Sequence, residues 1–301
     1  MPGQFRWSQQ AVSGIGEAGS NGIPNNRVLE SLAQPEELPM TKIADPAFWD
    51  DNAPDYRGVV NDFTAFYSQC AWEMASLPSD ATVLDIAAGG GALTKVASAA
   101  GHRVLATDFS PAMVESIAAL DLPGVTAQVM DGQDLDLPDA SFDAAFSMFG
   151  IMLFPDWRAG LRELSRILKP GGTACIGTWK EPGGAAVNLL VDSIAKRLFP
   201  GLEVDDPVPG MTEWSDRGRF LDALDIAGLI DARFEEVTSD FTVELPMLME
   251  PEKTFQFSPV WPVLDDDQKA DLLAEIRDLA QRGGGRILVS SAAIIALASK
   301  R

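Results

Sequence analysis

The chain has 301 residues, enough for one large domain or a domain with a small lid, and its 46% hydrophobic and 22% charged residues mark it as globular rather than disordered. Twenty-three basic against 44 acidic side chains leave a formal charge of -21, which repels nucleic acid and anionic membrane at long range and argues against a DNA, rRNA or tRNA substrate. Only Cys70 and Cys175 are present, far apart and without metal-ligand spacing, and no run reaches the roughly 18 apolar residues of a membrane span. With no basic region leading into an apolar stretch at the N-terminus, a soluble cytoplasmic protein without a disulfide scaffold or metal site is expected.

Residues 1–44 hold five glycines before Asn25, few aromatics and no sustained period, and read as a loosely ordered extension. From Asp62 the residues Phe63, Phe66, Tyr67, Cys70, Met74 and Leu77 recur at three- and four-residue steps, which predicts a helix packed on one face. Short apolar runs then alternate with helical patterns: strand 82–87, helix 91–100, strand 103–107, helix 111–120, strand 125–130 and strand 142–148. Such alternation predicts a parallel sheet with helices on both faces. A helix from Asp156 to Leu168 follows, ended by Pro170-Gly171-Gly172 before a strand at 173–179. After Trp179 the order changes, and two excursions at about 181–215 and 246–284 read as lid segments. Between them a helix (216–228) and a strand (231–243) return to the sheet, and a last strand is expected from Ser291 to Ser299.

Chemistry concentrates at the ends of the first three strands. Val83-Leu84-Asp85-Ile86-Ala87-Ala88-Gly89-Gly90-Gly91 reads as a buried strand breaking into a glycine turn that opens a helix, whose N-terminal amides face any ligand above the turn. A dinucleotide fingerprint needs a third glycine three residues after the second; counted from Gly91, that place is Thr94, so a nucleoside suits the turn better than a pyrophosphate. Asp108 lies 17 residues after Gly91, where a carboxylate can accept both hydroxyl protons of a ribose; its alternative role is a helix-entry carboxylate before Pro111. Asp131-Gly132-Gln133 follows the third strand, where an acid can accept from an exocyclic amine. The further acids Asp134, Asp136, Asp139 and Asp143 lack the spacing of a calcium loop and read as a solvated face.

With these residues the chain resembles the class I S-adenosylmethionine-dependent methyltransferases, in particular the broad group of quinone and small-molecule methyltransferases, over roughly residues 80–180. Thr107-Asp108-Phe109-Ser110-Pro111-Ala112-Met113, Leu137-Pro138-Asp139-Ala140-Ser141-Phe142-Asp143, the run from Ser147 to Asp156 and Leu168-Lys169-Pro170-Gly171-Gly172 carry the likeness in order, with Ala87 standing where the family has its first turn glycine. The resemblance implies an α/β fold, a doubly wound, mostly parallel seven-stranded Rossmann-like sheet with helical lid insertions over residues 45–301, and S-adenosylmethionine as cofactor. It implies further that Asp85, Ala87 and Gly89 lie along the methionine half and ribose, that Asp108 takes the ribose hydroxyls, and that Phe109 and Met113 flank the adenine. Asp131, Gly132 and Gln133 would read the base edge, and Ser147 and Met148 would line the methionine side. Tyr56, in a segment from Phe48 that resembles the family's cover over the methionine end, would hold the cofactor's carboxylate or sit beside the methyl; alternatively Trp49 and Tyr56 staple the extension to the core.

Methyl transfer needs nucleophile, methyl carbon and sulfur in line, so positioning supplies much of the acceleration and a base is required only for a weakly acidic acceptor. The one histidine, His102, falls at the opposite edge from the ligand. Candidate bases are therefore Asp50, Asp51, Tyr56 and Tyr67, unranked. Aromatics in or beside the lids suggest an apolar or aromatic small-molecule acceptor, with Phe149, Met152, Trp179 and Phe255 expected to line its pocket. Competing readings are a quinone-ring C-methyltransferase, a cofactor-binding protein without methyl transfer and, disfavoured by Thr94, a dehydrogenase.

Overall fold

The computed structural model describes residues 43–55, 60–204, 206 and 208–301. Almost all of the extension expected at 1–44, and Tyr56, lie outside the described residues.

Helix α1 (Pro46–Asp55) and helix α2 (Asn61–Ala75) precede the sheet. Then come β1 (Thr82–Ile86), α3 (Ala92–Ala99), β2 (Arg103–Asp108), α4 (Pro111–Ala118), β3 (Val125–Val129) and β4 (Phe142–Met148). Each boundary has a local cause: the αL residue Gly91 opens α3, and the Ser110 hydroxyl caps α4 ahead of Pro111. Helix α5 (Trp157–Ile167) is capped by Asp156 and runs directly into β5 (Leu168–Trp179). The Pro-Gly-Gly stretch expected to separate them instead lies within β5, as an irregularity where the pairing with β4 jumps from Phe142↔Leu168 to Ala144↔Thr173 and Gly171 takes φ 76°.

The seven strands run in the order β3-β2-β1-β4-β5-β7-β6, with β1 to β5 parallel and β7 antiparallel to both neighbours. Strand order reverses between β1 and β4, which opens the crevice where a sheet of this kind receives ligand at its carboxyl edge. The remaining elements are α6 (Ala186–Leu198), α7 (Pro209–Ser215), α8 (Arg217–Ile226), β6 (Leu229–Glu244), the short turns α9 (Leu245–Leu248) and α10 (Pro251–Thr254), α11 (Asp266–Arg282) and β7 (Arg286–Lys300).

Strand β7 starts earlier than the Ser291 expected from its apolar run. Its pairs with β5 end at Trp179↔Ala293, whereas its pairs with β6 continue to Glu244↔Arg286. The β6–β7 hairpin therefore projects beyond the carboxyl end of β5, and the excursions pack on that projection. Val191, Ile194, Leu248, Phe255, Trp261, Leu272, Ile276, Ile287 and Val289 form a core of their own, separate from the two cores on the faces of the sheet. The first excursion is divided: α6 joins this lid core, but Met211 and Trp214 of α7 belong to the main core, where Trp214 stacks on Phe220 at 4.7 Å. None of the described helices is long and apolar enough to cross a membrane.

Candidate active site

The turn after β1 is held by backbone bonds from Ala88 N–H to the Thr107 carbonyl and from Gly91 N–H to the Ala88 carbonyl, both 2.9 Å. Ala87 takes φ 53°, an αL conformation that costs a residue with a Cβ on the order of 1 kcal/mol. Its methyl group faces Gly150, where an added Cβ would stand 2.5 Å away. A small side chain at the position of the family's first turn glycine is thus accommodated by glycine across the crevice.

Three acids mark neighbouring strand ends. Asp108 is 6% exposed; its Oδ2 accepts from Gly89 N–H at 2.9 Å and its Oδ1 from Ser110 N–H at 3.0 Å. Each carboxylate oxygen retains capacity for a further donor. Burial raises its pKa to about 6, with the amides of Ser110, Gly89 and Phe109 pulling it down and Asp50 pushing it up. Asp85 is 2% exposed and accepts from the Thr94 hydroxyl at 2.6 Å; burial raises it to about 7. Thr94, in the place where a dinucleotide site needs glycine, thereby serves as a partner of the acid on β1. Asp131 is exposed and accepts from Gln133 N–H at 2.9 Å, while Gln133 Oε1 accepts from Asp156 N–H at 2.9 Å, which ties the loop after β3 to the start of α5. Gly132 leaves no room for a side chain, since a Cβ would meet Phe154 at 2.6 Å and Ile86 at 2.9 Å.

A small cavity of about 20 Å³ lies beside the turn, lined by Asn61, Thr64 and Ser68 of α2 together with Asp85, Ala87, Leu93 and Met148. Asn61 donates to the Gly90 carbonyl at 2.7 Å, and the buried Ser68 hydroxyl has no partner. These three α2 residues were not among those expected from sequence. Their signal was present as a polar stripe at 61, 64 and 68 running beside the apolar one.

The other expected residues divide clearly. Ala87, Gly89 and Met148 sit with Asp85 and Asp108 at the carboxyl ends of β1, β2 and β4. Ser147 is fully buried and its hydroxyl accepts from Ile151 N–H at 3.1 Å, so it braces the turn after β4. Phe109 is half-buried beside Asp108, and Met113 is buried in α4. Asp50 accepts from the Ser110 hydroxyl at 2.5 Å and from Ala112 N–H at 3.0 Å; this carboxylate is engaged at the start of α4 rather than turned to an acceptor. Asp51, next to it on α1, is exposed. Tyr67 donates to the Ser291 carbonyl at 2.9 Å, and burial pushes its phenol up to about 12, which does not suit a base at neutral pH.

Phe149, Trp179 and Phe63 form a three-ring stack, with centroids 3.9 Å apart for Phe149–Trp179 and 5.3 Å for Phe63–Trp179. Tyr67 stands edge-on to all three, and Phe241 of the hairpin closes on Phe63 at 4.3 Å. Phe149 holds φ 65°, unusual for a bulky residue and confined to the strand end where β4 meets the crevice. Met152 is buried beneath, accepting from the Thr178 hydroxyl at 3.2 Å. Phe255 is not at this site: its ring is fully buried in the lid core against Trp261, because the hairpin projection supplies a second apolar surface that captures it. His102 is buried far from the crevice, its Nε2 2.9 Å from the Pro78 carbonyl and its ring edge-on to Trp72. Of the acids after β3, Asp139 pairs with Arg166 and Asp143 with Lys169 and Thr82, which holds Asp143 at about 2.

The strand order, the crevice and the acids at three adjacent strand ends define the class I methyltransferase fold. Residues 84–176 match the family described as a methyltransferase domain. Among its relatives are two demethylmenaquinone methyltransferases. That of Corynebacterium urealyticum is 39% identical over 100 residues, covering 33% of this chain and 42% of the relative. That of Corynebacterium efficiens is 32% identical over 155 residues, covering 50% and 66%. The matched region thus spans about half the length of these relatives. Among solved structures, phosphoethanolamine N-methyltransferase 2 of Haemonchus contortus, in complex with phosphomonomethylethanolamine and S-adenosylhomocysteine, shares the fold with a TM-score of 0.50 at 17% identity, over 86% of this chain and 60% of that one.

Proposed function

We propose that this protein transfers a methyl group from S-adenosylmethionine to a small apolar or aromatic acceptor. The observation that carries this is the placement of Asp85, Asp108 and Asp131 at or just past the carboxyl ends of the adjacent strands β1, β2 and β3, with Asp108 bonded to the glycine turn through Gly89 N–H. The arrangement fits the cofactor chemically. Asp108 has spare acceptor capacity for two ribose hydroxyls, and Asp131, Gly132 and Gln133 offer polar groups for the base edge, with Phe109 and Met113 as its expected flanks. The cavity beside Asp85, with the unpartnered Ser68 hydroxyl, is polar where the amino-acid end belongs.

The cofactor supplies an electrophilic methyl on a cationic sulfur. The chain's own residues supply orientation and exclusion of water: the glycine turn fixes the nucleoside, and the aromatic stack of Phe63, Phe149 and Trp179 presents an apolar wall to an acceptor. In this reading residues 45–301 make up the methyltransferase domain, with 1–44 as an extension to it. Two unpaired thiols, Cys175 fully buried, and the charge of -21 support a cytoplasmic protein that does not engage nucleic acid or membrane. The names of the relatives favour quinone-ring C-methylation as the second reading. Calorimetry with S-adenosylhomocysteine tests the first step and labelled methyl donor with a cell extract the second: heat of binding and labelled small molecules are expected. Absence of binding would remove the proposal, and binding without labelled product would leave a cofactor-binding protein.

A further inference from the structure

Helix α1 precedes the sheet in the chain, yet one of its carboxylates meets the end of β2. Ser110, fully buried and two residues past that strand, is engaged in three ways. Its N–H donates to Asp108 Oδ1 at 3.0 Å, its hydroxyl donates to Asp50 Oδ1 at 2.5 Å, and its Oγ accepts from Met113 N–H at 3.2 Å. Asp50 Oδ1 also accepts from Ala112 N–H at 3.0 Å. Two carboxylates therefore share the start of α4, one from the preceding strand and one from a helix 60 residues before Ser110.

Pro111 has no N–H to offer, so the amides of Ser110, Ala112 and Met113 are the donors open at the start of α4, and all three are taken. Helix α1 is also anchored elsewhere. Phe48 and Trp49, immediately before Asp50, meet Phe257 of the second excursion with ring centroids 5.9 and 5.7 Å apart. Asp50 thus arrives at Ser110 on a helix that is fastened to the lid as well. Without its carboxylate the buried Ser110 hydroxyl and the Ala112 amide lose their acceptor, and the turn that steadies Asp108 loses its outer support.

We propose that Asp50 is a positioning residue of the cofactor site, holding Ser110 so that Asp108 stays fixed and open to the hydroxyls of a ribose. This rests on the methyltransferase reading above. Geometry is one half of the role: the Ser110 hydroxyl proton goes to Asp50, which leaves Asp108 bonded by backbone amides and with capacity for two hydroxyl donors. Charge is the other half. Burial first, and then the like charge of Asp50, raise the affinity of Asp108 for protons and make it a stronger acceptor, while the amides of Ser110, Gly89 and Phe109 oppose them. The elements around the pair add few other charges. On α1, Asp51 is exposed and Asp55 is the last residue; Glu115 of α4 and Asp131 after β3 are exposed, and Asp85 of β1 is buried. Among the described residues, Lys95 of α3 and Arg103 at the far end of β2 form no ion pair with either acid.

The test is calorimetry of S-adenosylhomocysteine with the full chain at about pH 8 and about pH 5. Ribose hydroxyls need the ionised Asp108, whose pKa is about 6, so the wild-type protein should lose about tenfold or more of its affinity over that interval. Asp50→Asn keeps an oxygen that accepts both bonds but removes the charge; Asp108 then stays ionised to lower pH, and the loss should shrink by about threefold or more. Asp85 is present in every protein compared, so its own titration does not enter the difference. At about pH 8 Asp50→Ala, which removes the acceptor as well, should bind about fivefold or more weakly than Asp50→Asn, the scale of one hydrogen bond. A loss on acidification no smaller in Asp50→Asn than in the wild-type protein, or equal affinity of the two variants at about pH 8, would overturn the role of Asp50. The first readout stands by itself if Asp50→Ala does not fold. Failure of the wild-type protein to bind S-adenosylhomocysteine at about pH 8 would instead overturn the methyltransferase reading itself.

Discussion

The crevice at β1, β2 and β4 and the lid built on the β6–β7 hairpin are both well packed, but they are organised on different principles. In the crevice the acids have strand-end addresses: Asp85 is the penultimate residue of β1, Asp108 ends β2, and their partners are Thr94 in the first turn of α3 and Gly89 in the turn before it. In the lid the organising force is apolar burial on a surface that exists only because β6 and β7 outrun β5. The crevice therefore carries specific polar recognition on a rigid sheet, and the lid carries shape and exclusion of water. Damage to one should register differently from damage to the other.

The largest effect expected is on the lid. Phe255→Ala removes a fully buried ring from the lid core and should lower stability by about 3–5 kcal/mol in denaturant titration. The affinity of the folded fraction for S-adenosylhomocysteine should stay within a factor of about two, because the ring does not reach the crevice. A tenfold loss of that affinity would merge the two regions into one. Asp108→Ala is the converse. It should weaken S-adenosylhomocysteine binding by on the order of 2–3 kcal/mol, roughly a hundredfold, through lost hydrogen bonds to a charged group. Near-native affinity in that variant would remove Asp108 from the ribose.

A smaller, pH-dependent effect sharpens the comparison further. Asp85, raised to about 7, and Asp108, raised to about 6, both bind protons more strongly in the folded state than at their ordinary value of 3.8. Between those values the ligand-free folded state holds protons that the unfolded chain releases, so stability from these groups is greatest at low pH and declines as pH rises through about 6 and about 7. Asp143, held at about 2, acts in the opposite sense and only below 3.8. The melting temperature of the ligand-free protein should therefore fall from about pH 5 to about pH 8, and Asp85→Asn should flatten that slope. An unchanged slope would mean that Asp85 is ionised throughout. The smallest change expected is for Ala87→Gly, which relieves the αL strain at φ 53° but gives up a methyl contact with Gly150 and adds freedom to the unfolded chain. Stability should move by less than about 1 kcal/mol, and a larger loss would show that the methyl fills the crevice rather than being tolerated there.

Legibility followed the same division. Turn chemistry and strand periodicity placed β1 to β4 within a residue or two, and with them Asp85, Asp108 and Asp131, because each is defined by its own neighbours in sequence. The Pro-Gly-Gly stretch misled at β5, since a proline and two glycines read locally as a break, whereas pairing with β4 absorbs them as an irregularity. Asp50 was read as a candidate base from its segment, yet its role at the start of α4 depends on a contact across 60 residues. Phe255 and Phe149 look alike in sequence as aromatics near the lids. One lies in the lid core and the other stacks on Trp179, a difference set by which surface each segment meets.

The amino-acid sequence by itself determined the alternation of strands and helices, the glycine turn and the acids that follow it, because these depend on backbone conformations and periods local to a few residues. Only the tertiary structure decided that Asn61, Thr64 and Ser68 line a cavity with Asp85, that the lids share a core on a projecting hairpin, and that Phe63 and Phe149 stack on Trp179. Those outcomes depend on which face of one element meets another, and that is settled by burial over the whole chain.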